Sequence, residues 1–179
     1  LIIGVAVLTL SACSSGAVTP TETADPIPSI APSLIPTSAP VDVVDVDIEQ
    51  FAGDFGDYTF RVGDGPTWCT INNIRMNVLC EQSEADAKYP PIPVPSSCEF
   101  SYGYQVQLFA TQPEDGSKIA DFVCSGGAYA DPTSAYVLNS GERLTLDGIS
   151  CFVEGTAARC ENEAHNYIVL GPDAWAIGS

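Results

Sequence analysis

Seven cysteines and one histidine limit the chemistry open to this 179-residue chain. A single histidine, His165, leaves no multi-histidine metal site. Apart from Cys13, the cysteines are Cys69, Cys80, Cys98, Cys124, Cys151 and Cys160. An even set in an exported chain implies three disulfides. Proximity in sequence favours Cys69–Cys80, Cys98–Cys124 and Cys151–Cys160, the first and last each enclosing a strand-turn-strand. No Cys-x-x-Cys occurs, which argues against zinc, an iron–sulfur cluster or thioredoxin-like redox chemistry. No cofactor is implied. His165 would need a serine beside it in space to act as a base, and there is no Gly-x-Ser-x-Gly elbow. Its ordinary role is a structural hydrogen bond. Acids are scattered through the chain, and no pair stands out as the two carboxylates of a glycosidase. Ser125-Gly126-Gly127 lacks the Gly-Lys-Ser/Thr of a phosphate loop. Aromatic residues remain: Phe100, Tyr102 and Tyr104 lie together, and Trp68 and Trp175 fall in separate strands. Exposed rings beside polar groups stack on sugars or grip a protein partner; buried ones fill a β core. Trp68, Tyr102, Tyr104 and His165 are the candidate binding residues.

Charge narrows the partners. Six basic residues against 23 acidic ones give a net charge of −17. Nucleic-acid binding, which works by neutralising phosphates, is excluded. Anionic headgroups would repel the same surface, so attachment to a membrane must come from something other than charge.

These residues need positioning, and the chain divides into three parts for that purpose. Residues 1–10 read LIIGVAVLTL. As a helix they span about 15 Å, half of a bilayer core of roughly 30 Å. That suits the apolar region of a signal peptide better than a transmembrane helix. With no basic residues before it, the true N-terminus is expected to lie upstream. Leu10-Ser11-Ala12-Cys13 resembles the bacterial lipobox, in which the cysteine sulfur carries a diacylglyceryl group and cleavage occurs just before it. Residues 1–12 are then the signal peptide and Cys13 the lipidated first residue, with two acyl chains meeting the requirement for stable anchoring. Residues 13–47 are a disordered tether rich in Pro, Ser, Thr and Ala. As a stiff polyproline-like segment it would reach about 105 Å, and as a coil about 32 Å. Its acidic end, residues 41–50, reads as a solvated strand leading into the domain. The Asp-x-Asp step at Asp45 and Asp47 lacks the Gly and distal Glu of a calcium loop.

Residues 48–179 form the domain. Period-two alternation marks half-buried strands at residues 58–62, 104–108 and around Leu144 and Leu146. Asp64-Gly65, Asp115-Gly116 and Asp147-Gly148 supply turns. The four prolines Pro90, Pro91, Pro93 and Pro95 require an extended loop, and only residues 81–88 have room for a helical turn. The expected fold is all-β: a small antiparallel domain stapled by disulfides, with two Cys hairpins, after a disordered linker.

The hairpins are alike. Trp68-Cys69-Thr70-Ile71 and Leu79-Cys80-Glu81-Gln82 align with Ser150-Cys151-Phe152-Val153 and Arg159-Cys160-Glu161-Asn162. Two related units about 80 residues apart are implied. The order of cysteines, with Phe122-x-Cys124, Gly148-Ile149-Ser150-Cys151 and Ala164-His165-Asn166-Tyr167, resembles a family of exported and lipid-anchored actinobacterial proteins. The resemblance covers roughly residues 58–179. It departs at the first hairpin, where Gly65-Pro66-Thr67-Trp68 stands in place of the family's Pro-Ser-Gly-Asn-Ile. It implies architecture and an envelope location, not a chemistry.

The resulting expectation is a lipoprotein on the outer face of the cell membrane. Its domain binds an envelope protein or a wall polymer and is not an enzyme. The alternatives are a carboxylate-dependent envelope hydrolase and a calcium-dependent adhesin.

Overall fold

Alternation puts every second side chain of these strands on one face, and the inward set is apolar enough to close two sheets over each other. A computed structural model describes residues 42–178. Cys13, the signal-peptide region and most of the tether lie outside the described residues. The strands are β1 (Val44–Asp45), β2 (Asp57–Val62), β3 (Trp68–Asn72), β4 (Asn77–Glu81), β5 (Gln105–Phe109), β6 (Ala120–Phe122), β7 (Tyr136–Leu138), β8 (Glu142–Leu146), β9 (Ile149–Glu154), β10 (Ala157–Asn162), β11 (Tyr167–Leu170) and β12 (Trp175–Gly178). The described fold is all-β. Short 3-10 turns interrupt it, one of them at Glu84–Asp86, within the span expected to hold a helical turn.

Strands β2 to β6 run as an antiparallel meander, and β8 to β12 repeat it. Each meander gains one parallel edge strand from the segment that precedes the other. β1 pairs with β8, and β7 pairs with β2. The repeat legible in the cysteines is therefore a repeat of whole sheets, and the two copies are laced together by exchanged edges. The acidic leading strand expected over residues 41–50 is the two-residue β1. It is fastened by Arg143 to Asp45, with Nη2 2.7 Å from the carboxylate.

The core lies between the sheets. Phe60, Ile71, Val78, Val106 and Leu108 from the first sheet meet Leu144, Ile168 and Leu170 from the second, all fully buried. Cys69 faces Cys80 across β3 and β4, and Cys151 faces Cys160 across β9 and β10. All three expected disulfides are present, with Cα separations of 4.0, 5.5 and 4.1 Å in chain order. The two hairpin disulfides touch at the centre, where Cys80 Sγ lies 3.9 Å from Cys160 Sγ. Closing loops of 11 and 9 residues, they contribute about 2.5–3 kcal/mol each by chain entropy. The Asp-Gly reading holds at β8–β9. Asp147 (φ 46°) and Gly148 (φ 82°) make the two-residue turn between Leu146 and Ile149.

Candidate functional site

If Cys80 points inward, Glu81 must point outward. On that outer face Trp68, Glu81 and Gln105 stand directly abreast on β3, β4 and β5. An outward carboxylate is ordinarily solvated, yet Glu81 is 1% exposed. The cause is the connection after β6. Residues 125–131 cross the outer face as a strap, and Glu81 pins it from below. Its Oε1 accepts from the Tyr129 backbone N–H (2.8 Å) and from Gln105 Nε2 (2.5 Å), and its Oε2 accepts from Trp68 Nε1 (3.0 Å). Gln105 Nε2 also donates to the Gly127 carbonyl at 2.7 Å. Burial raises the Glu81 carboxyl above its ordinary value, and its hydrogen bonds only partly offset this.

The strap is clamped at its base. Cys98–Cys124 ties it to the proline-rich connection, and Ser101 and Ser125 exchange backbone hydrogen bonds (3.1 and 2.9 Å). At its far end the Tyr129 hydroxyl donates to Asp57 (3.1 Å). The connection itself is anchored by a buried relay. Thr67 Oγ1 donates to Gln82 Oε1, Gln82 Nε2 donates to the Tyr89 hydroxyl, and that hydroxyl donates to the Gly103 carbonyl. Burial pushes the Tyr89 hydroxyl up to about 12.

Between the strap and this connection lies a cleft of about 470 Å³. Trp68, Phe100 and Tyr104 line it, with Glu81, Gln82 and Glu84 supplying polar groups and no Lys, Arg or His in its wall. Phe100 is 63% exposed. Burial raises the Tyr104 hydroxyl, helped by the charge of Glu84 and a hydrogen bond with it.

The sequence-named residues therefore separate. Trp68 and Tyr104 meet in the cleft. Tyr102 does not join them: Gly103 (φ 96°) turns the chain between the two tyrosines, and a Cβ there would meet Ile92 at 3.1 Å. Tyr102 packs on Phe122 (5.7 Å), which packs in turn on Trp175 (4.9 Å). It belongs to the partly buried layer against the core. His165 is exposed in the β10–β11 turn at φ 64° and lines none of the clefts described here. Its backbone N–H closes that turn on the Asn162 carbonyl at 2.9 Å.

Sequence reasoning missed Glu81, Gln105 and the strap, since nothing local marks an outward Glu as buried. Among the described residues, the three-ligand grouping is Cys69, Cys80 and Cys160, whose sulfurs are committed to disulfides. Among them also, no helix is long and apolar enough to cross a membrane. No family model, curated protein or solved structure matches this chain.

Proposed function

We propose that this chain is a lipid-anchored envelope protein whose domain binds a wall polymer and does no chemistry on it. Cys13 carries the lipid, the residues between Cys13 and β1 hold the domain away from the membrane, and a short run of neutral sugars lies in the cleft beside the strap. One observation carries the ligand reading: Trp68, Phe100 and Tyr104 converge on an open cleft whose wall also holds the Glu84 carboxylate and the hydroxyls of Ser83, Ser101 and Ser125. Rings of this kind stack on the apolar faces of sugars, while a carboxylate and hydroxyls bond the sugar's own hydroxyls. A phosphate or carboxylate ligand would find no cation in the wall. A hydrolytic role is disfavoured because both oxygens of Glu81 are already engaged by the protein's own donors.

The test is isothermal titration of the full chain with soluble oligosaccharides released from cell wall. Trp68→Ala is expected to weaken binding at least 10-fold, equivalent to about 1.4 kcal/mol, and to lower the melting temperature because it removes a donor to Glu81; Phe100→Ala, whose ring is exposed, should weaken binding with the melting temperature nearly unchanged. Undiminished binding by Trp68→Ala, or release of reducing ends during the titration, overturns the reading. The intact mass of the membrane-extracted protein checks the anchor. It should show a diacylglyceryl adduct on a chain beginning at Cys13, and its absence removes the lipoprotein reading without touching the cleft.

A further inference from the structure

A second cleft, of about 430 Å³, opens on the other side of the strap, between the segment before β2 and the segment before β7. Three of the molecule's exposed large apolar side chains line it: Phe55 (88% exposed), Tyr129 (44%) and Tyr136 (62%). Phe51, buried beneath, holds Tyr136 edge-on at 6.2 Å. Three acids, Asp54, Asp57 and Asp131, lie in the same wall, and no Lys, Arg or His does. Two cations stand beside it: Arg61 donates to the Ala135 carbonyl (3.1 Å), and Arg75 lines the neighbouring cleft, which Tyr129 also borders. Thr133 donors hold the Asp131 carboxyl below its ordinary value, so it is charged across the neutral range.

Phe55 adds an independent sign. It sits at φ 59°, ψ 27°, in the left-handed region that a bulky side chain avoids. Nothing in the core requires its ring, which is almost wholly in water. Strain held by an exposed aromatic residue is what a binding surface retains and a packing role would not.

We infer that this cleft binds an organic ammonium group, the rings of Phe55, Tyr129 and Tyr136 facing its methyl or methylene groups and the aspartates supplying the countercharge. Ring faces attract such cations, and a ring site needs the diffuse charge of an alkylammonium. A metal ion is the poorer occupant, because no three carboxylates among the described residues come within ligand distance of one another. The inference does not depend on the sugar reading of the first cleft.

The test is a two-dimensional NMR titration of the full chain with tetramethylammonium chloride, in parallel with tert-butanol as a neutral ligand of comparable shape. Tetramethylammonium is expected to shift Phe55, Tyr129, Asp131 and Tyr136 together at millimolar concentration, and tert-butanol to leave them in place. Tyr136→Ala should weaken the response at least 10-fold. Phe55→Gly should do the same while the melting temperature stays level or rises by roughly 2–5 °C, as strain is relieved. Equal shifts with tert-butanol, shifts spread over the acidic surface at large, or full binding by Phe55→Gly each overturn the inference. A fall in melting temperature for Phe55→Gly would show that the ring is structural and would overturn it as well.

Discussion

Glu81 and Glu161 occupy the same place in two copies of one sheet. Each follows the second cysteine of its hairpin and faces outward beside the same neighbours in register. In the first sheet these are Trp68 and Gln105, and in the second Ser150 and Tyr167. Their fates differ. Glu81 is sealed beneath a strap, taking one hydrogen bond from it and two from the neighbouring strands, whereas Glu161 is part-exposed, 3.5 Å from the buried Arg159, whose guanidinium lies over the Tyr167 ring. The strands are not the source of the difference. Residues 82–104 join β4 to β5, while residues 163–166 suffice between β10 and β11, and residues 123–135 follow β6. One copy of the scaffold is plain and the other carries long connections, and both clefts are lined in part by those connections.

The clamp at Cys98–Cys124 should show this most strongly. It closes a 26-residue loop, so Cys98→Ser with Cys124→Ser is expected to cost about 3.5 kcal/mol. Urea unfolding measures it. The hairpin disulfides remain, so the domain should still fold while sugar binding is lost. Retained binding would mean that the loops hold their shape without the clamp.

Next comes the pair of glutamates. Glu81→Ala strands the Trp68 indole and the Tyr129 backbone N–H without an acceptor and leaves the Gln105 amide only the Gly127 carbonyl, at a cost of about 3 kcal/mol. Glu161→Ala breaks one long contact, 3.5 Å, to a buried Arg159 that the Tyr167 ring and the charge of Glu154 still support, and should cost less than Glu81→Ala. Equal losses in urea midpoints would erase the asymmetry claimed for the two sheets.

The strands, the turns and the cysteine pairing were legible because each is local. Period two writes a strand directly, and a cross-strand disulfide joins cysteines on the same face of neighbouring strands. The repeat was legible for the same reason. Glu81 was not, since its burial is imposed by Tyr129, 48 positions away. Phe100, Tyr102 and Tyr104 read as one cluster, but the left-handed Gly103 between the tyrosines divides them, and no composition signals that turn. Phe55 carries no sequence sign of its strain at all. The domain's edge was also blurred: residues counted with the tether supply β1, whose partner strand begins almost a hundred residues later.

The smallest effect is a pH dependence, and it tests the seal over Glu81 directly. Burial holds this carboxyl above its ordinary value of 4.5, so the folded protein binds that proton more tightly than the unfolded chain does. Its contribution to stability is therefore greatest below pH 4.5 and falls as pH rises through the folded-state value. Asp115 and Asp131 pull the other way. Hydrogen-bond donors lower their carboxyls, and their contributions are lost as pH falls through those lowered values. The raw profile mixes the two signs, and Glu154 adds to the first. Subtracting the profile of Glu81→Gln removes the shared background. The difference should show wild type losing stability, relative to the variant, as pH rises from 4.5. Trp68 gives a local readout, because its indole donates to the titrating carboxylate, while Trp175 stands in the second sheet against Phe122. In Trp175→Phe protein the remaining emission should follow the same titration, and in Trp68→Phe protein it should not. A flat difference curve would mean that water reaches Glu81 and that the strap covers it without sealing it.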